Sequence, residues 1–171
     1  MSEYHTPVLL KESVDALGIK ADGTYVDATF GGGGHSREIL SRLGGSGRLI
    51  AFDKDPDALA NAPSDSRLIL VHNNFRFVHN FVHYHGFEGV DGILADLGVS
   101  SHQFDTGERG FSFRFDAPLD MRMSKEGMSA YDVVNTYSEA ELTRILFAYG
   151  EEKFSKSIAR RIIAEREKEP I

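Results

Sequence analysis

The chain has no cysteine and no tryptophan among its 171 residues, and only five prolines. Without cysteine there is no disulfide framework and no thiolate metal site, a composition in keeping with a reducing compartment. No hydrophobic run approaches membrane-spanning length, and the opening Met-Ser-Glu-Tyr-His-Thr-Pro lacks a basic-then-apolar signal pattern. A soluble, cytoplasmic protein with no membrane partner is the expectation. Positive charge is scarce as well. A net charge of −7 argues against gripping nucleic acid by overall charge alone. The deficit is uneven, however: residues 1–106 hold 8 Lys+Arg against 14 Asp+Glu, and residues 107–171 hold 11 against 12. A polyanionic substrate would meet the second half more readily.

Glycine, by contrast, is plentiful, and four of the 17 stand together as Gly31 to Gly34. Tyr25 and Val26 before them favour a strand. After them, Ile39, Leu40 and Leu43 recur at helical spacing. A strand, a glycine turn and a helix make a mononucleotide-binding opening, whose helix-start N–H groups face a ligand across the turn. Three ligands compete for it. A phosphate-cradling P-loop needs Gly-x-x-x-x-Gly-Lys-Ser/Thr; here Thr29 stands at the first glycine and His35 at the lysine, so that reading fails. A dinucleotide fits Gly31 and Gly33 but meets Ser36 where the third glycine belongs. It also wants an acid about twenty positions on to hold a ribose, and Asp53 is there. S-adenosylmethionine has a ribose to hold too. Asp27, at the end of the first strand, repels a pyrophosphate yet suits a ligand carrying a sulfonium and an ammonium. The residues favour the cationic nucleoside cofactor.

Along the chain, residues 5–17 read as an approach segment and a short helix, with Gly18 near its end. Arg48 to Asp53 is a mostly apolar run suited to a buried parallel strand. Asp55 and Pro56 open a helix as N-cap and first residue. Leu68 to Val71 forms a third strand, and Phe77, Val78, Phe81 and Val82 mark the apolar face of the helix after it. The fourth strand lies in Gly92 to Leu97. This alternation predicts an α/β fold, an open parallel sheet with helices on both faces. Ligands in such sheets sit beyond the carboxyl ends of the strands, where Asp27, Asp53, Phe75 and Asp96 all fall. His79 and His83 have the spacing of a zinc-protease helix. Asn80 replaces the general base, however, and no third ligand is apparent, so a solvated face is expected and no metal.

Beyond residue 100 the pattern changes. Phe111, Phe113 and Phe115 alternate as in an edge strand, interleaved with Arg109, Arg114 and Arg122. Such a pattern can stack bases and pair phosphates, or simply pack on a core. Ser138 and Glu141 form a capping box opening a helix with Leu142, Ile145, Leu146 and Tyr149 as its stripe, stopped by Gly150. A last helix places Phe154, Ile158 and Ile162 on one face and Lys153, Lys156 and Arg160 on a solvated side.

Several of these stretches carry a resemblance. Asp-Leu-Gly-Val-Ser-Ser (96–101), Glu-Arg-Gly-Phe-Ser-Phe (108–113) and Pro-Leu-Asp-Met-Arg-Met (118–123) closely resemble the bacterial 16S ribosomal RNA cytosine-N4 methyltransferases. So do His-Thr-Pro-Val-Leu-Leu (5–10), the Thr29–Ser36 loop and Tyr-Gly-Glu-Glu-Lys-Phe (149–154). The resemblance spans nearly the whole chain. It implies a Rossmann-like methyltransferase sheet in the order 3-2-1-4 and an S-adenosylmethionine-dependent enzyme that methylates a cytidine amine in small-subunit ribosomal RNA. It also implies that Gly33, Gly34, His35, Asp53, Phe75, Asp96 and Gln103 hold the cofactor. For His35 and Gln103 the resemblance is the sole argument.

Many amine methyltransferases hold their target amine with Asp/Asn-Pro-Pro-aromatic after the fourth strand. Here Asp96-Leu97-Gly98-Val99 stands instead, so the catalytic proton acceptor is unassigned, with Asp96 a candidate. Members of the family also continue further. The chain is therefore expected to be an N-terminal fragment, with residues 1–104 forming an incomplete cofactor domain and residues 105–171 the start of an inserted helical module. Later strands would be missing, and the fragment is expected to be inactive and either to self-associate through an exposed sheet edge or to have that edge covered by its own helical hairpin (residues 138–168) folding back. A nicotinamide dehydrogenase and a non-catalytic RNA-binding module remain the alternatives.

Overall fold

The computed structural model describes residues 7–171, so His5 and Thr6 of the first motif lie outside the described residues. The chain divides into two compact units. One runs to His102 and includes Met123–Lys125; the other comprises Gln103–Arg122 and Glu126–Ile171.

The first unit is built on four parallel strands: β1 (Thr24–Asp27), β2 (Arg48–Asp53), β3 (Leu68–His72) and β4 (Gly92–Leu94). Their order is β3-β2-β1-β4, as the resemblance implied. In register, Tyr25 lies opposite both Leu49 and Gly92, and Leu49 lies opposite Leu68. Successive side chains on a strand point to opposite faces, and both faces here are apolar. On one side Tyr25, Leu49 and Leu94 pack with Val14 of α1 (Leu10–Ala16) and with Ile39 and Leu40 of α2 (Gly34–Arg42). On the other, Val26, Ile50 and Phe52 pack with Val78, Phe81 and Val82, all from the helix after β3. Burying each large side chain of this core contributes about 1.5–3 kcal/mol. Asp55 caps the short α3 (Pro56–Leu59) by accepting the Asp57 amide, with Pro56 at its first position.

Two details of this unit depart from the sequence reading. A 3₁₀ turn, Phe75–Phe77, precedes α4 (Val78–Tyr84), so Phe77 lies outside the helix and half-exposed. The fourth strand also stops at Leu94 rather than reaching Leu97. Its last ladder bond is the Ala28 amide donating to the Leu94 carbonyl, 2.8 Å. The Asp96 amide then donates to the Thr29 hydroxyl instead of to a strand carbonyl, 2.8 Å.

The second unit is helical. α5 (Ser101–Asp105) enters it at Gln103, and α6 (Ala130–Thr136), α7 (Glu139–Ala148) and α8 (Ser155–Arg166) follow. Ser138 and Glu141 cap α7 reciprocally, as expected. Ser129 and Asp132 do the same for α6. The sequence reading missed α6, although its Ser-x-x-Asp signal was visible. Leu142 and Ala159 are buried where α7 and α8 pack. Tyr149 and Phe154, assigned to the apolar stripes, instead flank the turn between these helices and are exposed.

The edge strand expected over Phe111–Phe115 does not form. The segment is a loop drawn together at its neck: the Met121 amide donates to the Arg109 carbonyl at 3.0 Å, and Arg109 Nη2 donates to the Arg122 carbonyl at 2.9 Å. A chain pinned at both ends must curl, and Phe113 at the bend is fully exposed. The interleaved arginines are mostly committed. Arg109 is buried, and Arg122 pairs with Asp120.

Candidate functional site

The glycine loop is fastened to the ends of three strands. Asp27, the last residue of β1, takes the Ser36 hydroxyl at 2.7 Å and the Thr29 amide at 3.1 Å. Asp53, the last residue of β2, takes the Gly31 amide on Oδ2 at 2.7 Å and the Asp55 amide on Oδ1 at 2.9 Å. Thr29 accepts from the Asp96 amide just beyond β4. The Gly31–Asp53 and Asp96–Thr29 bonds reach across 22 and 67 residues of sequence, while Thr29 and Ser36 also meet Asp27 from two and nine residues away. Both are additions that the fold supplies.

The loop ends on Gly33, the N-cap of α2, which is left-handed at φ 76. A Cβ there would approach Arg37 Nη1 to 2.6 Å and the Phe30 ring to 2.8 Å, and one on Gly34 would collide with the Pro7 ring. Side chains are thus excluded along the rim that a ligand would occupy. His35 follows on the first turn of α2. It is buried, and its Nε2 has no hydrogen-bond partner among the described residues. An orphaned buried nitrogen is costly unless something satisfies it. This gives His35 a physical case that the sequence lacked.

Around this rim the fold gathers most of the expected residues. Asp53 is half-buried; its two oxygens, each already bonded to one amide, keep lone pairs for further donors. Phe75, three residues past β3, is 40% exposed, an aromatic face left uncovered. Asp96 is exposed two residues past β4. Gln103 is buried on α5 and belongs to the second unit. A rim of backbone N–H groups, an orphaned imidazole nitrogen, two carboxylates and an open aromatic face fits a nucleoside-type cofactor. On α4, the His79 and His83 rings meet edge to face with centroids 4.4 Å apart. No cluster of three or more His, Cys, Asp or Glu side chains that could hold a metal gathers among the described residues.

Asp27 differs electrostatically from the rim acids. It is fully buried, and desolvation raises its carboxyl above the usual range, opposed by the Ser36 and Thr29 hydrogen bonds and by the charge interaction with His35.

The comparisons with known proteins are consistent across the whole chain. It is 62% identical over 170 residues to the ribosomal RNA small subunit methyltransferase H of Flavobacterium johnsoniae, covering 99% of this chain and 56% of that protein. The protein of the same name from Bacteroides fragilis is 62% identical over 164 residues, covering 95% and 54%. That of Christiangramia forsetii is 55% identical over 172 residues, covering 100% and 57%. The chain thus spans about half the length of the curated relatives it matches. The model of the MraW methylase family matches residues 2–171, and with a parallel 3-2-1-4 sheet and a glycine loop at its centre, the chain belongs to that family.

Proposed function

We propose that this chain is the cofactor-holding part of an S-adenosylmethionine-dependent methyltransferase acting on the N4 amine of a cytidine in small-subunit ribosomal RNA. The observation that carries the reading is the convergence of the loop, Asp53, Phe75 and Asp96 at the carboxyl ends of the strands, in a chain whose relatives bear the name ribosomal RNA small subunit methyltransferase H. When bound, S-adenosylmethionine supplies a methyl group on a sulfonium sulfur.

The chain's own residues do the rest. Gly33, Gly34 and His35 cradle the methionine portion, with His35 Nε2 available to a polar atom there. Asp53 accepts from the ribose hydroxyls, and Phe75 lies against the adenine. Asp96 and Gln103 complete the cofactor set, and Asp96 is the candidate to accept the amine proton. The cytosine amine is a poor nucleophile because its lone pair is delocalised into the ring, so in-line positioning and a proton acceptor are what the site must add. In this reading residues 1–104 hold the cofactor and residues 105–171 begin a substrate-recognition module.

Calorimetry on the chain with S-adenosylmethionine and with NAD tests the reading. Saturable binding of the former alone is expected. Binding of NAD alone would make the protein a dehydrogenase, and RNA binding indifferent to either cofactor would make it a non-catalytic module.

A further inference from the structure

Asp27 is a buried carboxylate at the centre of the sheet, suited by its charge to a cationic ligand but outside the set of residues proposed to hold the cofactor. Its side chain is 0% exposed. Its hydrogen-bond donors are the Ser36 hydroxyl and the Thr29 amide, both neutral, and no Lys or Arg among the described residues forms an ion pair with it. Two donors and the charge interaction with His35 favour an ionised carboxylate, but none of them is a fixed cation. A buried charge without a fixed cationic partner is expensive, and such groups persist where a cation arrives to match them. The loop that Asp27 braces is the ligand rim itself. The carboxylate lies sealed beneath it, so a ligand above feels its field without touching it.

Resting on the S-adenosylmethionine reading, we propose that Asp27 is a specificity-determining residue: the fixed negative charge by which the site tells the cofactor from its spent product. The cofactor carries a sulfonium; S-adenosylhomocysteine carries a neutral thioether. The two share the ammonium, the carboxylate and the adenosine. Rim contacts through Gly33, His35, Asp53 and Phe75 therefore serve both alike, and the difference is one unit of charge at sulfur. A buried carboxylate acts on that difference with little screening. It favours retention of the loaded cofactor and weakens the hold on the product once the charge is gone. Of the rim acids, Asp96 is exposed and Asp53 is half-buried, whereas Asp27 is fully buried, so solvent screens the first two more than it screens Asp27.

The test is the ratio of the dissociation constants of S-adenosylhomocysteine and S-adenosylmethionine, measured by calorimetry on the whole chain. Asp27→Asn keeps the shape and an acceptor for the Thr29 amide but removes the charge. The ratio should fall on the order of tenfold, the effect of a unit charge roughly 10 Å away at an effective dielectric near 20. Ser36→Ala leaves the charge and removes one brace. It should weaken both ligands together and hold the ratio within about twofold, since a neutral donor carries little of the field. On the unmodified chain, the ratio should persist between about 0.05 and 0.5 M salt, because a buried charge escapes screening. An unchanged ratio in folded Asp27→Asn overturns the inference, and so does an equal fall in Ser36→Ala. A ratio that collapses with salt moves the discrimination to an exposed acid and overturns it even if Asp27→Asn does not fold. If neither ligand binds the unmodified chain, the cofactor reading itself fails.

Discussion

At the scale of single residues, the two acids that end β1 and β2 do different work, and substitution should separate them. Asp53 faces the rim, so Asp53→Ala should weaken S-adenosylmethionine binding by about 1.5–3 kcal/mol through the lost charge-assisted bonds. The same change frees the Gly31 amide, so the loop should also loosen, visible as faster hydrogen exchange there. An unchanged dissociation constant would show the ribose is held elsewhere. Asp27 has the opposite stability signature. Burial raises its folded-state carboxyl above the unfolded value. The folded chain therefore binds that proton more tightly, and stability from this group is full below the ordinary carboxylate range and lost as pH rises through the folded value. Asp27→Asn has no such loss. It should melt above the parent near neutral pH, with the gap closing as the pH falls towards 4. A variant that melts lower at pH 7 would mean that the hydrogen bonds outweigh the buried charge.

At the scale of elements, the capping boxes are the most local determinants in the chain. Ser138 and Glu141 exchange bonds of 2.9 and 3.3 Å between side chain and backbone at the start of α7. Ser129 and Asp132 do so at the start of α6, at 2.8 and 3.1 Å. Ser138→Ala and Ser129→Ala should each cost about 1 kcal/mol in chemical denaturation, and Thr, which keeps the hydroxyl, should restore most of it. The carboxyl end of α6 is held differently. Arg166 of α8 donates to the Val134 and Tyr137 carbonyls at 2.8 and 2.7 Å, a cation placed where the helix dipole is negative. No sequence window contains that pair. Of the elements, β2 was the most legible because an unbroken Arg-Leu-Ile-Ala-Phe-Asp can only be buried on both faces. The Phe111–Phe115 loop was the least. Its alternation has strand period, but the bonds closing its neck at Arg109, Met121 and Arg122 overrode it.

At the scale of the molecule, β4 is an edge of the sheet among the described residues, with Ile93 exposed and Leu94 buried. An apolar edge with unpaired N–H and C=O groups is a template for another strand. The chain is accordingly expected to associate in solution, and light scattering should report species above 19.0 kDa. Ile93→Lys places a charge on that edge and should return the protein towards monomer. Association that persists in Ile93→Lys would locate the contact elsewhere, for example at the exposed Phe147, Tyr149 and Phe154 of the α7–α8 turn.

The sequence by itself determined the α/β alternation, the buried strands, the caps of α3 and α7 and the acids at the strand ends, because each follows from local propensity or from a period read over a few residues. The strand order came from the resemblance. Tertiary structure decided what depends on neighbours distant along the chain. It set how Thr29, Ser36 and Asp53 fasten the loop, left His35 Nε2 without a partner among the described residues, and curled the arginine–phenylalanine segment away from strand form. It also decided that Asp27, rather than Asp53 or Asp96, is the acid sealed from water. A strand-end position fixes where a carboxylate stands, but only the packing of loop and helix over it fixes the dielectric it feels.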